Sequence, residues 1–591
     1  MFIRVVLCVV FFTFYSILNG QEETEKKWWN PDTSEFKVVE GRGWKDTIGF
    51  NYNRLPERAK ESVRKQVWNL SKQSAGLSIS FISNASNISV RYKVKGGYAM
   101  PHMPSTGVSG VDLYAKDSNG EWVWSRGRYH FDDTISYNFD KLNTKEPYHN
   151  KGKTYKLYLP LYNEIEWLEV GVDQESVFTP IPVRIEKPIV IYGTSIAQGA
   201  CASRPGMAWT SILERTLDSP IINLGFSGNG RLEDEVLDLI AEIDAELFVL
   251  DCLPNLTRYS KDNSEFLYDR IIASVKKLRE KYLKTPILLV EHSGYAEGSN
   301  SNEKLKEYSG VNKILQKAFT QLKKDNFQHI YMLSKAELNL GIDSYVDGTH
   351  PNDLGMQQQA IAYEQCIRGI LKEPKGVIST AIPVTQNRDA NVYNWGERHQ
   401  YILESNENHP PKICFIGNSI VHQWGGVSGM SIASGSKSWE VYFQKENIKN
   451  FGYGWDRIEN VLWRVYHGEL DGFEAEQIIL KIGTNNLHLN TDEDIIEGLK
   501  FLVNAIKLKQ PKTKLTLIGI LPRRGEEGRV KTLNTSIERV AHRLGVDYLA
   551  IGNVLLAKDG KIDESLFRDG LHPNEKGYNK LAPKIVKYIL K

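Results

Sequence analysis

Two stretches, Ile189-Val190-Ile191-Tyr192-Gly193-Thr194-Ser195-Ile196 and Ile413-Cys414-Phe415-Ile416-Gly417-Asn418-Ser419-Ile420, each carry a short, wholly apolar run into a glycine and then a serine. An unbroken apolar run of this length, unlike an alternating one, suits a strand buried on both faces of a parallel sheet. Downstream of each lies the same hexapeptide pattern: Asp347-Gly348-Thr349-His350-Pro351-Asn352 after the first, and Asp569-Gly570-Leu571-His572-Pro573-Asn574 after the second. The distance from serine to aspartate is 152 positions in one case and 150 in the other. Two matched sets in the same order at nearly equal separation imply an internal duplication.

Working outward, further apolar runs at Leu247 to Leu250 and Pro286 to Val290 alternate with amphipathic helical patterns, as expected of a parallel sheet covered by helices on both sides. The fold class expected is therefore α/β, with two three-layer α/β/α domains at 186–375 and 409–591 joined by a polar linker at 376–408. Ahead of them the texture differs. Leu77, Ile79 and Phe81 alternate with serine, and Ile88, Val90, Tyr92 and Val94 alternate with polar residues. This period of two, broken by turn signals such as Ser118-Asn119-Gly120, predicts a β-sandwich over 25–182 with a structural or substrate-positioning role and no catalytic group.

A serine hydroxyl is a weak nucleophile until an imidazole accepts its proton, and the imidazole needs a carboxylate to hold its tautomer. The pattern Asp-x-x-His supplies both partners from one loop. In α/β-hydrolases the acid and the histidine sit on separate loops, so the compact pairing points elsewhere.

These blocks resemble the SGNH (GDSL-like) hydrolase superfamily, whose members carry Ser, Gly, Asn and His in four ordered blocks. In the first half the resemblance implies Ser195 as nucleophile, Asp347 and His350 as its triad partners, and Gly228 and Asn255 as oxyanion donors. In the second it implies Ser419 with Asp569 and His572, and Asn485 from Gly483-Thr484-Asn485-Asn486 as a donor. The segment from Phe451-Gly452-Tyr453-Gly454 to Val461-Leu462-Trp463-Arg464 is similar to the catalytic subunits of platelet-activating-factor acetylhydrolase, with Trp455 standing where that family has its oxyanion glycine. Any residue but proline keeps the N–H, so Trp455 remains a candidate donor. Gly110-Val111-Asp112-Leu113-Tyr114 resembles the segment of the β-domain that precedes certain bacterial SGNH esterases. The whole arrangement is similar to two-domain carbohydrate O-acetylesterases, including the sialate type.

What the resemblance implies is a serine esterase that removes O-acetyl groups from a glycan or sugar, without metal or organic cofactor. A glycan-binding protein with inactive hydrolase domains, or an acetyl-phospholipid esterase, are the alternatives. Charge is nearly balanced, 74 Lys+Arg against 72 Asp+Glu, which offers no field for nucleic acid. No His, Cys or carboxylate pair has ligand spacing along the chain. Residues 1–20, with an apolar run Val5 to Leu18, read as a signal peptide, so the chain is expected to be secreted or periplasmic, with no integral membrane association and no lipid-anchor cysteine. Cys201, Cys252, Cys366 and Cys414 are too few for a disulfide framework, although a Cys201–Cys252 bridge stays open. Trp209, Trp424 and Trp455 are candidates for stacking on a sugar ring.

Overall fold

A computed structural model describes residues 25–44, 52–144, 152–388, 391–427, 433–444 and 447–589; the expected signal peptide lies outside the described residues. Among them no helix is long and apolar enough to cross a membrane.

The N-terminal region forms two antiparallel sheets face to face. One runs in the order Lys26–Trp29, Glu164–Asp173, Ile88–Lys95, Ile135–Phe139, Arg128–His130; the other runs Phe178–Pro180, Ser78–Ser83, Lys153–Tyr158, Asp112–Lys116, Trp122–Ser125. The predicted alternation determines which side chains turn inward: Ile88, Val90 and Tyr92 meet Ile79, Phe81 and Leu157 in one core between the sheets.

Each of the two α/β domains holds a five-stranded parallel sheet. In the first, the spatial order is Ile221–Gly225, Ile189–Gly193, Leu247–Asp251, Ile287–Val290, Ile330–Leu333. In the second, it is Ile448–Gly452, Ile413–Gly417, Gln477–Lys481, Lys514–Ile518, Asp547–Leu549. Both follow the order 2-1-3-4-5, in which the strand order reverses beside the first strand. A crevice opens at the carboxyl ends of the strands at such a reversal, and Ser195 and Ser419 follow the first strand of their respective sheets.

Two segments differ from the sequence expectation. Residues Leu55, Ala59, Val63, Val67 and Trp68, which lie between sandwich strands Lys26–Trp29 and Ser78–Ser83, pack into the core of the first α/β domain with Ile222, Leu224 and Phe226. Each large side chain buried this way contributes about 1.5–3 kcal/mol, so the N-terminal region is welded to the first α/β domain. The stretch expected as a linker, 376–408, contains the helix Trp395–Asn408, whose Trp395 and Ile402 join the core of the second α/β domain. Its apolar positions are sparse among polar neighbours, which is why it reads as loop from sequence. All three regions meet at Asp218, whose carboxylate accepts from Lys116 Nζ of the sandwich at 2.7 Å and from Trp463 Nε1 of the second α/β domain at 3.0 Å.

Candidate active sites

The serine at each site begins a short helix immediately after the first strand. Thr194 caps one helix by accepting from Ile196 N–H at 3.3 Å, and Asn418 caps the other by accepting from Ile420 N–H at 3.1 Å. The structure brings Ser195, His350 and Asp347 together: Ser195 Oγ lies 2.9 Å from His350 Nε2, and His350 Nδ1 lies 2.7 Å from Asp347 Oδ2. Ser419, His572 and Asp569 repeat this with the same two distances, 2.9 and 2.7 Å. The second oxygen of each carboxylate accepts backbone N–H groups, from Thr349 and His350 in one loop and from Leu571 and His572 in the other.

Burial pushes Asp347 upward, but the His350 N–H and imidazole outweigh it and hold the carboxyl below the usual aspartate range. The same balance brings Asp569 down to about 2. Burial lowers His572 despite the attraction of Asp569, and the positive Arg568 and Lys481 lower it further. A neutral imidazole whose Nδ1–H is oriented by an ionised carboxylate is the form that can accept a serine proton.

Gly228 has φ +67°, and a Cβ built there would meet nothing within 4 Å. Trp455, at the corresponding turn, has φ +63° and its side chain is 37 % exposed. Asn255 hydrogen-bonds well with its Oδ1 accepting from the N–H groups of Asn229 at 3.0 Å and Gly230 at 3.1 Å, which leaves its NH2 as the donor. Asn485 donates from Nδ2 to Asp456 O at 2.9 Å, and an amide NH2 has a second hydrogen to offer. Trp209 and Trp424, in contrast, are core residues. Trp209 stacks on Tyr363 at 4.1 Å and Trp424 packs on Tyr578 at 4.7 Å, so neither can meet a sugar.

Several residues of these sites carried no sequence signal. A buried arginine clamps the end of the second strand in both domains: Arg54 donates to the carbonyls of Asn223 (3.1 Å) and Gly225 (2.7 Å), and Arg398 to those of Asn450 (3.0 Å) and Gly452 (2.8 Å). Each arginine comes from the segment ahead of its own sheet. Gln386 and Tyr393, also from that segment, donate to Gly454 O at 2.8 and 2.9 Å and so hold the turn that carries Trp455. His422 Nδ1 accepts from Gly454 N–H at 3.1 Å. The strand register places Asp251 beside Gly193 and Lys481 beside Gly417, giving opposite charge types at one position of the duplicated fold. Burial pushes Asp251 up to about 6, and burial with the nearby Arg523 brings Lys481 down to about 7.

A cavity of about 410 Å³ opens over the first triad, lined by Gln66, Asn69, Gln73, His102, Tyr162 and His350 among others. Most of these come from the N-terminal region. The four cysteines are free thiols: Cys201 Sγ donates to His102 O and Cys252 Sγ to Tyr192 O, both at 3.5 Å, so no Cys201–Cys252 bridge forms. The fold also gathers His102, Cys201, Asp347 and His350 so that one donor atom of each lies within 4.8 Å of the others. Linear spacing could not reveal this set, because its members come from three distant segments.

Profiles of the GDSL-like lipase/acylhydrolase family match residues 186–368 and 415–580, and a profile of the N-terminus of SGNH-hydrolase-type esterases matches residues 26–178. A solved protein of Bacteroides ovatus designated a GDSL-like lipase is 32 % identical, with a TM-score of 0.53; the alignment covers 59 % of this chain and 98 % of that one. Platelet-activating factor acetylhydrolase IB subunit alpha2 of Homo sapiens is 28 % identical over 204 residues, 33 % of this chain and 83 % of the relative. Its Rattus norvegicus counterpart is 27 % identical over 201 residues, with the same shares.

Proposed function

The chain belongs to the GDSL-like lipase/acylhydrolase family and is a carboxylic ester hydrolase, and on that premise we propose that it is an exported O-acetylesterase acting on carbohydrates through two independent Ser-His-Asp triads. The observation that carries this reading is the repeated geometry, 2.9 Å from serine to imidazole and 2.7 Å from imidazole to carboxylate in both domains.

In the proposed reaction His350 or His572 takes the proton of Ser195 or Ser419 as the oxygen attacks the acetyl carbonyl. The tetrahedral oxyanion meets the serine N–H, the N–H of Gly228 or Trp455, and the amide of Asn255 or Asn485. The imidazolium returns its proton to the leaving alkoxide, which departs as the sugar alcohol. Water, deprotonated by the same histidine, then cleaves the acetyl-serine and releases acetate.

Support for a sugar rather than a lipid comes from the cavity wall. The amides of Gln66 and Asn69, exposed on this wall, would pair with hydroxyl groups and would lose water without replacement against an alkyl chain. Support for acetyl as the acyl group comes from the acetylhydrolase relatives. Support for export is the apolar run Val5 to Leu18.

The test is acetate release from acetylated xylan, pectin, sialic acid and a small aryl acetate by the wild type, Ser195→Ala, Ser419→Ala and the double variant, with a long-chain ester as the lipid control. Two independent sites predict single-variant rates that sum to the wild-type rate on any shared substrate, and a silent double variant. A folded double variant that still releases acetate would overturn the reading. So would a preference for the long-chain ester.

A further inference from the structure

We propose that His102, Cys201 and the Asp347–His350 pair form a site for a soft divalent cation, Zn²⁺ by its chemistry, whose occupancy switches off the first triad and leaves the second untouched. The inhibitory half of this inference rests on the esterase reading above; the metal site itself does not.

The donor set is the first argument. Two imidazoles, a thiol and a carboxylate are the ligand types Zn²⁺ prefers, and hard cations such as Mg²⁺ or Ca²⁺ would not select a thiol and two imidazoles. Geometry is the second. Tetrahedral zinc with bonds of about 2.0–2.3 Å holds neighbouring donor atoms roughly 3.3–3.8 Å apart. The four donors lie within 4.8 Å of one another, so contraction by about 1 Å closes the shell. His102 can supply most of that movement, since it sits on an exposed loop of the sandwich with its ring 5.9 Å from that of His350. The cavity lined by both histidines gives an entry path from solvent. Among the described residues no other group of three or more His, Cys, Asp and Glu side chains is this close, and the second triad has no such neighbours.

Inhibition follows from what the cation would displace. Cys201 gives up its thiol proton to solvent on binding, as any zinc-ligating cysteine must. Asp347 Oδ2 and His350 Nδ1 stand 2.7 Å apart because they share a hydrogen bond. That is shorter than the separation of two donors on one tetrahedral ion, so a cation bound to both atoms pushes them apart and releases the Nδ1 proton to solvent. His350 then loses the carboxylate that orients it toward Ser195, and general-base function is lost with it.

The experiment uses the full chain. Zn²⁺ is titrated in competition with a chromogenic chelator, and Co²⁺ is added separately as a spectroscopic substitute. One tight equivalent is expected, with a sulfur-to-cobalt charge-transfer band; Cys201→Ser should abolish the band and weaken Zn²⁺ binding by at least about 10-fold to 100-fold, the cost of losing even an outer-shell partner. His102→Gln should weaken binding comparably. For activity, Ser419→Ala reports on the first site and Ser195→Ala on the second, each with an aryl acetate. Zn²⁺ should suppress the former by at least about 10-fold, reversibly with chelator, and leave the latter unchanged, while Cys201→Ser added to Ser419→Ala should keep its turnover in the presence of Zn²⁺. Equal inhibition of both sites, or wild-type zinc affinity in Cys201→Ser, would overturn the proposal. If metal-free Ser419→Ala has no turnover, the esterase reading of the first site fails, whereas the competition and cobalt measurements still decide the metal site.

Discussion

Trp455 and Gly228 occupy the same left-handed backbone conformation, φ +63° and φ +67°, at corresponding turns of the two hydrolase domains. A bulky side chain pays about 1–3 kcal/mol for such a backbone, and the turn around Trp455 is held by Gln386, Tyr393 and His422. A Cβ at Gly228 would meet open space, and Trp455 is part-exposed at the equivalent position. Replacing Trp455 with Gly should therefore raise stability by about 1 kcal/mol against denaturant and keep turnover of a small aryl acetate. On the proposed carbohydrate reading, the KM of the second site for an acetylated sugar should rise about 10-fold, the loss of one stacked aromatic contact. An unchanged KM would show that the indole makes no substrate contact.

The pH dependence of the second site should bear the mark of Lys481. A general base works only while unprotonated, and His572 has its pKa lowered from 6.5 by burial, with Arg568 and Lys481 adding to the effect against the pull of Asp569. The acid limb of kcat/KM in Ser195→Ala should accordingly have its midpoint below 6.5. Lys481→Met, close in volume, removes one of the positive charges and should move that midpoint upward by a few tenths to about one pH unit. A midpoint unmoved by the substitution would place the cause in burial and Arg568.

Arg54 and Arg398 are expected to act as positioning residues for their own domains. Truncating either to Met leaves two strand-end carbonyls buried without a donor, at a cost of about 3 kcal/mol. In the single-nucleophile backgrounds, Arg398→Met should lower kcat at Ser419 and spare Ser195, and Arg54→Met should do the reverse. Equal losses at both sites would mean that the clamps serve the whole chain's stability and not local geometry.

Glu469 gives a stability prediction. Burial opposes its charge, but Arg464, His399 and Tyr453 around it bring the carboxyl from 4.5 to about 2. A depressed folded pKa contributes stability above the unfolded value and loses it as pH falls from about 4.5 toward 2, a contribution on the order of 3 kcal/mol. Glu469→Gln should lower the denaturation midpoint at pH 7 and flatten its decline over that acid range. A variant with the wild-type slope would assign the acid loss to other carboxylates.

Much of the architecture was legible because its signals are local. Apolar runs such as Ile189 to Tyr192 and Ile413 to Ile416 report burial on both faces within five residues, and strand alternation at Ile88 to Val94 reports a sandwich face within seven. Asp347 with His350, and Asp569 with His572, lie three positions apart on one loop, so their pairing was written into the chain, and the duplication made each set corroborate the other. Helix Trp395–Asn408 escaped because two buried apolar side chains in fourteen residues leave no clear period. What the tertiary structure alone decided are the contacts between residues with no local relation. Arg54 reaches Asn223 across 169 positions, and His102 meets His350 from a different domain. Asp251 and Lys481 take equivalent places, beside Gly193 and Gly417, only through strand register. A lone arginine, histidine or lysine has the same local pattern on a solvated surface as under an active site, and only the packing of distant segments, with the dielectric and partners it brings, sets what each one does.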